Sequence, residues 1–171
     1  AHRERWLRAH AEITHGLLSG GSRGDVLGVL AERAREIGSA ALATVAVPVP
    51  GGEGLTVERA IGKQAQAHRG LVLPVEGTLT GAAFAAGAPV ISADVSRDVR
   101  AAAGPERFAG LGPAVAAPLG SGDGVRGVVL LARVSGDPAF SEREAELLAG
   151  FAERAGVAME LDERRRDAEQ I

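Results

Sequence analysis

The stretch from Ala114 to Leu161 constrains the fold most. An apolar run, Ala114-Val115-Ala116-Ala117-Pro118-Leu119, follows Gly112-Pro113, and a second, Val125 to Val134, lies beyond the glycine-rich loop Gly120 to Gly124. Two runs of β-branched or small apolar residues joined by a short Gly/Asp loop predict a β-hairpin. Ser135 to Phe140, with Gly136, Asp137 and Pro138, is a connection. Ser141 then opens a helix, because its hydroxyl can accept from the Glu144 N–H while the Glu144 carboxylate reaches back to the Ser141 N–H. From there only Gly150 and Gly156 weaken a helix predicted over 141–171.

That helix carries two apolar stripes. Leu148, Phe151, Ala152, Ala155, Ala158 and Met159 recur with helical period and are wide enough to cover a sheet. Leu147, Gly150, Arg154, Val157, Leu161, Arg164, Ala168 and Ile171 step alternately by three and four, the spacing of a heptad seam. Two stripes imply two partners: the chain's own sheet and something beyond it. Leu147, Val157, Leu161, Ala168 and Ile171, helped by Trp6, Ile13 and Leu17 of the first helix, are expected to form the seam of a parallel homodimer, weakened by Arg154 and Arg164.

Upstream, His2 to Ser19 reads as a helix stopped by Gly20-Gly21. Ser22 caps a second helix whose buried face is Val26, Leu27, Leu30, Ala34 and Ile37, with Gly38 at its end. Ala40 to Val49 is apolar throughout, as in a central strand. A loop at Pro50 to Gly54 leads to Leu55–Ile61, which alternates like a half-exposed strand. Short elements follow: a helix near Gln64 to His68, a strand within Leu71–Val75, a helix from Thr78 to Ala86, and an extended Pro89–Ile91. Residues 94–112 read as a long loop with a helical turn near Arg100, and long loops over a scaffold often carry ligands. The order helix, helix, strands, mixed segment, hairpin, helix predicts a layered α+β fold with an antiparallel sheet, one domain over 1–171.

Composition excludes several functions. Aromatics are 3% of 171 residues, so the core must be built from Ala, Val and Leu and offers few flat walls to a large planar cofactor. A net charge of −3 argues against nucleic acid and anionic membranes as partners. Cysteine is absent, which removes disulfides, thiol catalysis, thiolate metal sites and thioether-linked chromophores, and is compatible with a reducing cytoplasm. No apolar run reaches the roughly 18 residues of a membrane span, so no membrane contact is expected.

Motifs that suggest chemistry have plainer readings. Gly122-Asp123-Gly124-Val125-Arg126-Gly127 fits the dinucleotide pattern, but that mechanism needs a helix directly after the loop, and here a strand continues. Arg23-Gly24-Asp25 spells an adhesion tripeptide at what reads as a helix start, where capping chemistry explains it. His10 and His15 are spaced so that they diverge around a helix, and His68 is alone. Ser121 and Thr78 lie near glycines but in no nucleophile elbow, and Glu144 and Glu146 read as a solvated helix surface. The domain is therefore expected to be non-catalytic. Leu73, Phe84, Ile91, Phe108, Leu111 and Val115 are expected to line an apolar pocket between the loops and the sheet, for a small apolar ligand.

The strand ending in Pro118-Leu119, the glycine loop, Gly127-Val128-Val129-Leu130-Leu131 and Ala139-Phe140-Ser141 before a Leu-Leu helix resemble the second half of a GAF domain. Leu17-Leu18-Ser19-Gly20, Ala43 to Pro48 and Leu73-Pro74-Val75-Glu76-Gly77 resemble the front half of the second GAF domain of actinobacterial dormancy-regulator (DevS-type) sensor histidine kinases. The likeness covers about 11–162. It implies terminal helices on one sheet face and ligand loops on the other. It also implies a sensory, signal-transmitting role in a two-component kinase, with a sensor or GAF module upstream, a kinase domain downstream, and the last helix running on between them. An effector domain of a phosphatase regulator or transcription factor is the alternative. The first GAF domain of such kinases holds haem through a histidine in the loop before the strand that begins here at Ala114; Phe108 to Leu111 contain none. Bilin attachment needs a cysteine, and the Asn-Lys-Phe-Asp-Glu set of cyclic-nucleotide GAF domains is missing. No cofactor is expected.

Overall fold

The computed structural model describes residues 2–18 and 22–169, the side chains of residues 2, 17 and 18 excepted. Leu17 and Ile171 of the expected seam thus lie outside the described side chains. The elements are α1 (His2–Leu18), α2 (Arg23–Ile37), β1 (Leu42–Pro48), β2 (Leu55–Gly62), α3 (Ala65–His68), β3 (Val72–Leu73), α4 (Leu79–Ala86), β4 (Val90–Ser92), β5 (Leu111–Leu119), β6 (Gly127–Val134) and α5 (Glu142–Glu169). The strands form one antiparallel sheet in the order β3-β2-β1-β6-β5-β4, with the expected hairpin β5–β6 beside the central β1. The fold is the α+β arrangement that the sequence predicts.

Both sheet faces are covered, which is why β1, β5 and β6 read as unbroken apolar runs. Ala43, Val45, Val47, Val115, Ala117, Leu119, Val129 and Leu131 meet α1, α2 and α5. Their alternating neighbours Leu42, Ala46, Ala114, Ala116, Val128 and Leu130 meet the α4 and loop side. The core on the helix face includes Leu27, Leu30, Leu148 and Phe151, each almost fully buried and each contributing about 1.5–3 kcal/mol.

Caps fix the helices where local chemistry allows. Ser141 N donates to Glu144 Oε1 and Glu144 N to Ser141 Oγ, both at 3.0 Å, completing the capping box. Ser22 Oγ accepts from Asp25 N at 3.1 Å, and Thr78 Oγ1 from Gly81 N at 3.0 Å, while Gly87 ends α4 at φ +63.

Four expectations change. Glu144 is not merely solvated: its carboxylate also holds the buried Arg133 at 2.6 Å, whose guanidinium lies 3.9 Å from the Phe140 ring and donates to Gly38 O at 2.9 Å. Gly112-Pro113 does not bound β5 but belongs to it, with an irregular register between Leu111 and Ala114. Residues 94–112 hold two short 3₁₀ turns, Val99–Ala101 and Pro105–Phe108, as well as the start of β5. Finally, Trp6 and Ile13 are 4% and 1% exposed, inside the chain's own core. Trp6 packs on Phe151 with the rings tilted by 43° and their centroids 5.0 Å apart, so these side chains are not available to a dimer seam.

The charge of Arg154 bears on His10, and Arg23, at the start of α2, pairs with Glu163 at 2.9 Å. With the Trp6–Phe151 contact, these place α1 and α5 side by side and pointing the same way. Val157 and Leu161 remain 44% and 60% exposed on α5, Ala168 is exposed, and Leu147 is half-buried against the helix-face core.

Candidate functional site

The opposite sheet face carries a small polar cavity. Its floor is Thr44 of β1 and Leu130 of β6; its walls are Leu73, the first turn of α4 from Thr78 to Thr80, and His68; its roof is Ala101, Arg107 and Phe108. Free space inside is about 10 Å³, roughly one water molecule. Thr44, His68, Thr78 and Thr80 are all nearly fully buried, an unusual concentration of polar groups in a core of Ala, Val and Leu.

Each polar group is placed by its element. Thr44 follows from strand parity, since Val45 faces the helices. Thr78 is the N-cap of α4, and its hydroxyl donates to Pro74 O at 2.7 Å. His68 ends α3, which is entered through Gln64 in the left-handed region (φ +66), whose amide reaches Ala109 O at 3.2 Å. His68 Nε2 lies 3.0 Å from Arg107 O, a contact in which the nitrogen must donate. The ring sits edge-on to Phe108 at 4.9 Å between centroids. Burial, more than the nearby Arg107 charge, pushes the imidazole pKa below its ordinary 6.5, against a smaller opposing pull from the Arg107 carbonyl.

Arg107 curls back on its own turn, donating from Nε to Gly104 O at 3.2 Å and from Nη2 to Ala103 O at 2.9 Å. Gly104 takes φ +66, and a Cβ there would lie 2.9 Å from Arg107 Nε, so the turn needs glycine at this position. Burial lowers the guanidinium pKa, partly offset by Glu106. Among the described residues no carboxylate lies within ion-pair distance of Arg107.

The expected apolar pocket is only partly assembled. Phe108 and Leu73 line the cavity, and Leu111 is buried in the same loop-side core. Phe84 lies instead along an open groove of about 870 Å³ that includes Val72, Leu73, Pro74, Val75 and Glu76. Val115 and Ile91 turn to the helix face, away from the cavity and the groove alike. The polar members Thr44, Thr80 and Arg107 were not anticipated. Nothing in an apolar strand or a lone arginine marks them before the chain is folded. The Gly122–Gly127 motif forms a 3₁₀ turn and then β6, so no helix N-terminus stands ready for a pyrophosphate. Among the described residues no three His, Cys, Asp or Glu side chains gather as a metal site.

A family model described as GAF domain matches residues 21–160. The crystal structure of the second GAF domain of DevS from Mycobacterium smegmatis is similar, at 30% identity and a TM-score of 0.72 over 86% of this chain and 99% of that one. At 15% identity, the GAF domain of a phosphoenolpyruvate-protein phosphotransferase from Coxiella burnetii shares the fold with a TM-score of 0.78, over 98% of this chain and 99% of that one. Free methionine-R-sulfoxide reductase from Neisseria meningitidis, solved with its substrate, shares it at 16% identity with a TM-score of 0.74, over 96% and 91%.

Proposed function

We propose that this chain, which belongs to the GAF domain family, is a non-catalytic sensory and signal-transmitting module of a cytoplasmic two-component sensor histidine kinase. One observation carries the reading. The polar cavity and the parallel pair α1 and α5 lie on opposite faces of a single sheet, and β1 and β6 contribute side chains to both. A change at the cavity therefore has a packed route to the two helices. The likeness to a DevS GAF domain at 30% identity supports the kinase setting.

In this reading α1 receives from an upstream sensor or GAF module and α5 hands on to a kinase dimerisation helix. A second copy of the chain covers Val157 and Leu161, about a twofold axis that leaves both exit helices pointing the same way. Two packings of the helix pair would be the two signalling states.

The decisive measurement is on the parent gene product. Its sequence beyond Ile171 should contain a helix bearing the phosphoaccepting histidine, followed by an ATP-binding domain. Autophosphorylation should change when the cavity is disturbed by Thr44→Val. A phosphatase or DNA-binding domain downstream, or a kinase indifferent to that variant, would remove the proposal.

A further inference from the structure

The cavity holds unspent hydrogen-bonding capacity, and the charge in its lining has one sign. The Thr44 and Thr80 hydroxyls line it on residues 2% and 3% exposed, and neither hydrogen-bonds to any described residue. Hydroxyls on buried residues ordinarily find a partner. Arg107 offers five N–H donors, and its bonds to Gly104 O and Ala103 O use two of them. The first turn of α4 contributes the positive end of its dipole. Among the described residues no Asp or Glu lines the space. The apolar part of its lining includes Leu73, Leu79 and Leu130.

We propose that this cavity takes a small carboxylate on a short apolar stem, its oxygens held by Arg107, Thr44 and Thr80 and its stem against Leu73, Leu79 and Leu130. A planar carboxylate matches the guanidinium fork and supplies acceptors for both hydroxyls. A compact inorganic oxyanion would leave the apolar walls without a partner. The present free space of about 10 Å³ admits no such molecule, so entry requires the Pro105–Phe108 turn to lift. That turn is flanked by Gly104 and Gly110 at φ +66 and +79 and is tied down by the His68 contact with Arg107 O and the Gln64 contact with Ala109 O. Lifting it carries Arg107 from its own carbonyls to the ligand. The inference rests on the loop face being the sensory one.

The test is a set of titrations at constant ionic strength with sodium propionate, propionamide and sodium phosphate, followed by NMR at the His68 imidazole and the Phe108 ring. Propionate should shift both in a saturable way and bind at least about tenfold more tightly than propionamide or phosphate. Arg107→Gln should erase the difference between propionate and propionamide. Thr44→Val and Thr80→Val, which keep the side-chain shape, should each weaken propionate several-fold, and they carry the test if Arg107→Gln does not fold. Propionamide or phosphate binding as well as propionate overturns the carboxylate class while leaving a ligand site on this face. Resonances of His68 and Phe108 that stay fixed with all three probes overturn the carboxylate site. If in addition autophosphorylation of the parent is blind to Thr44→Val, the sensory reading falls with it.

Discussion

Gly156 of α5 lies against the main chain of Gly120. Gly120 N donates to Ala152 O at 3.2 Å, so the β5–β6 turn hydrogen-bonds directly to the helix. A Cβ placed on Gly156 would fall on the Leu119–Gly120 backbone, which has no flexible end to move aside. Gly156→Ala should therefore destabilise by about 2 kcal/mol, the overpacking cost outweighing the gain in helix propensity. Gly150, whose nearest neighbour for an added Cβ is the Arg154 side chain at 3.4 Å, is the control. Gly150→Ala should stabilise by about 0.5–1 kcal/mol. Thermal melts of the two variants should move in opposite directions; equal shifts would show that the Gly120 contact is not tight.

How much of this was legible beforehand depends on how local the cause is. The capping box at Ser141 and Glu144 needs only residues three apart, and the sequence states it outright. The β5–β6 hairpin is likewise local. Trp6 and Ile13 show the limit: periodicity reveals that α1 has an apolar stripe but not what covers it, and it is α5 of the same chain. Val115 and Ile91 fail for a related reason, since an all-apolar strand has no alternation from which to read its faces. The cavity is least legible, because His68 meets Arg107 across 39 residues of chain and a hydroxyl such as Thr44 is informative only once its missing partner is seen.

Arg133 ties three segments together, and its loss should be felt in all of them. Its side chain is 9% exposed and meets Glu144, Gly38 O and Pro138 O. Arg133→Met keeps much of the packing but leaves the buried Gly38 carbonyl without its donor, so a loss of about 1–3 kcal/mol is expected. Glu144→Gln should cost less, because that carboxylate side chain is 37% exposed and the carbonyl contacts survive. Urea melts rank the two; a milder Arg133→Met would mean that the carbonyl finds water instead.

His68 makes stability depend on pH in a definite direction. Its pKa is lowered in the folded state by burial first and the Arg107 charge second. Above the unfolded value of 6.5 both states are neutral there and the residue contributes no slope. As pH falls below 6.5 the unfolded chain takes up the proton first, so stability is lost with acidification until the folded pKa is passed. His10 is lowered as well and adds a slope of the same sign. The difference between wild type and His68→Gln therefore isolates the cavity histidine. Melting temperatures of the two should converge as pH drops from neutral toward 5, and parallel curves would contradict the buried neutral imidazole.

The exposed stripe on α5 and the buried stripe on α1 separate association from folding. Leu161 is 60% exposed and Val157 is 44% exposed, so charging either should leave the monomer's core intact. If a second chain covers this stripe, Leu161→Glu removes apolar burial from both copies and places like charges across the twofold axis. A loss of roughly 1.5–3 kcal/mol per leucine, counted twice, is enough to abolish a weak dimer. Trp6→Ala should act differently. Trp6 packs on Phe151 within the chain, and its truncation should cost about 3–5 kcal/mol of folding stability whatever the oligomeric state. Sedimentation over a wide concentration range, paired with thermal melts, distinguishes the two. Leu161→Glu is expected to sediment as a monomer with a melt close to that of dilute wild type, and Trp6→Ala to melt many degrees lower. A wild type that stays monomeric at the highest concentration, or a Leu161→Glu chain that dimerises as well as the parent, would leave the stripe to some partner other than a second copy.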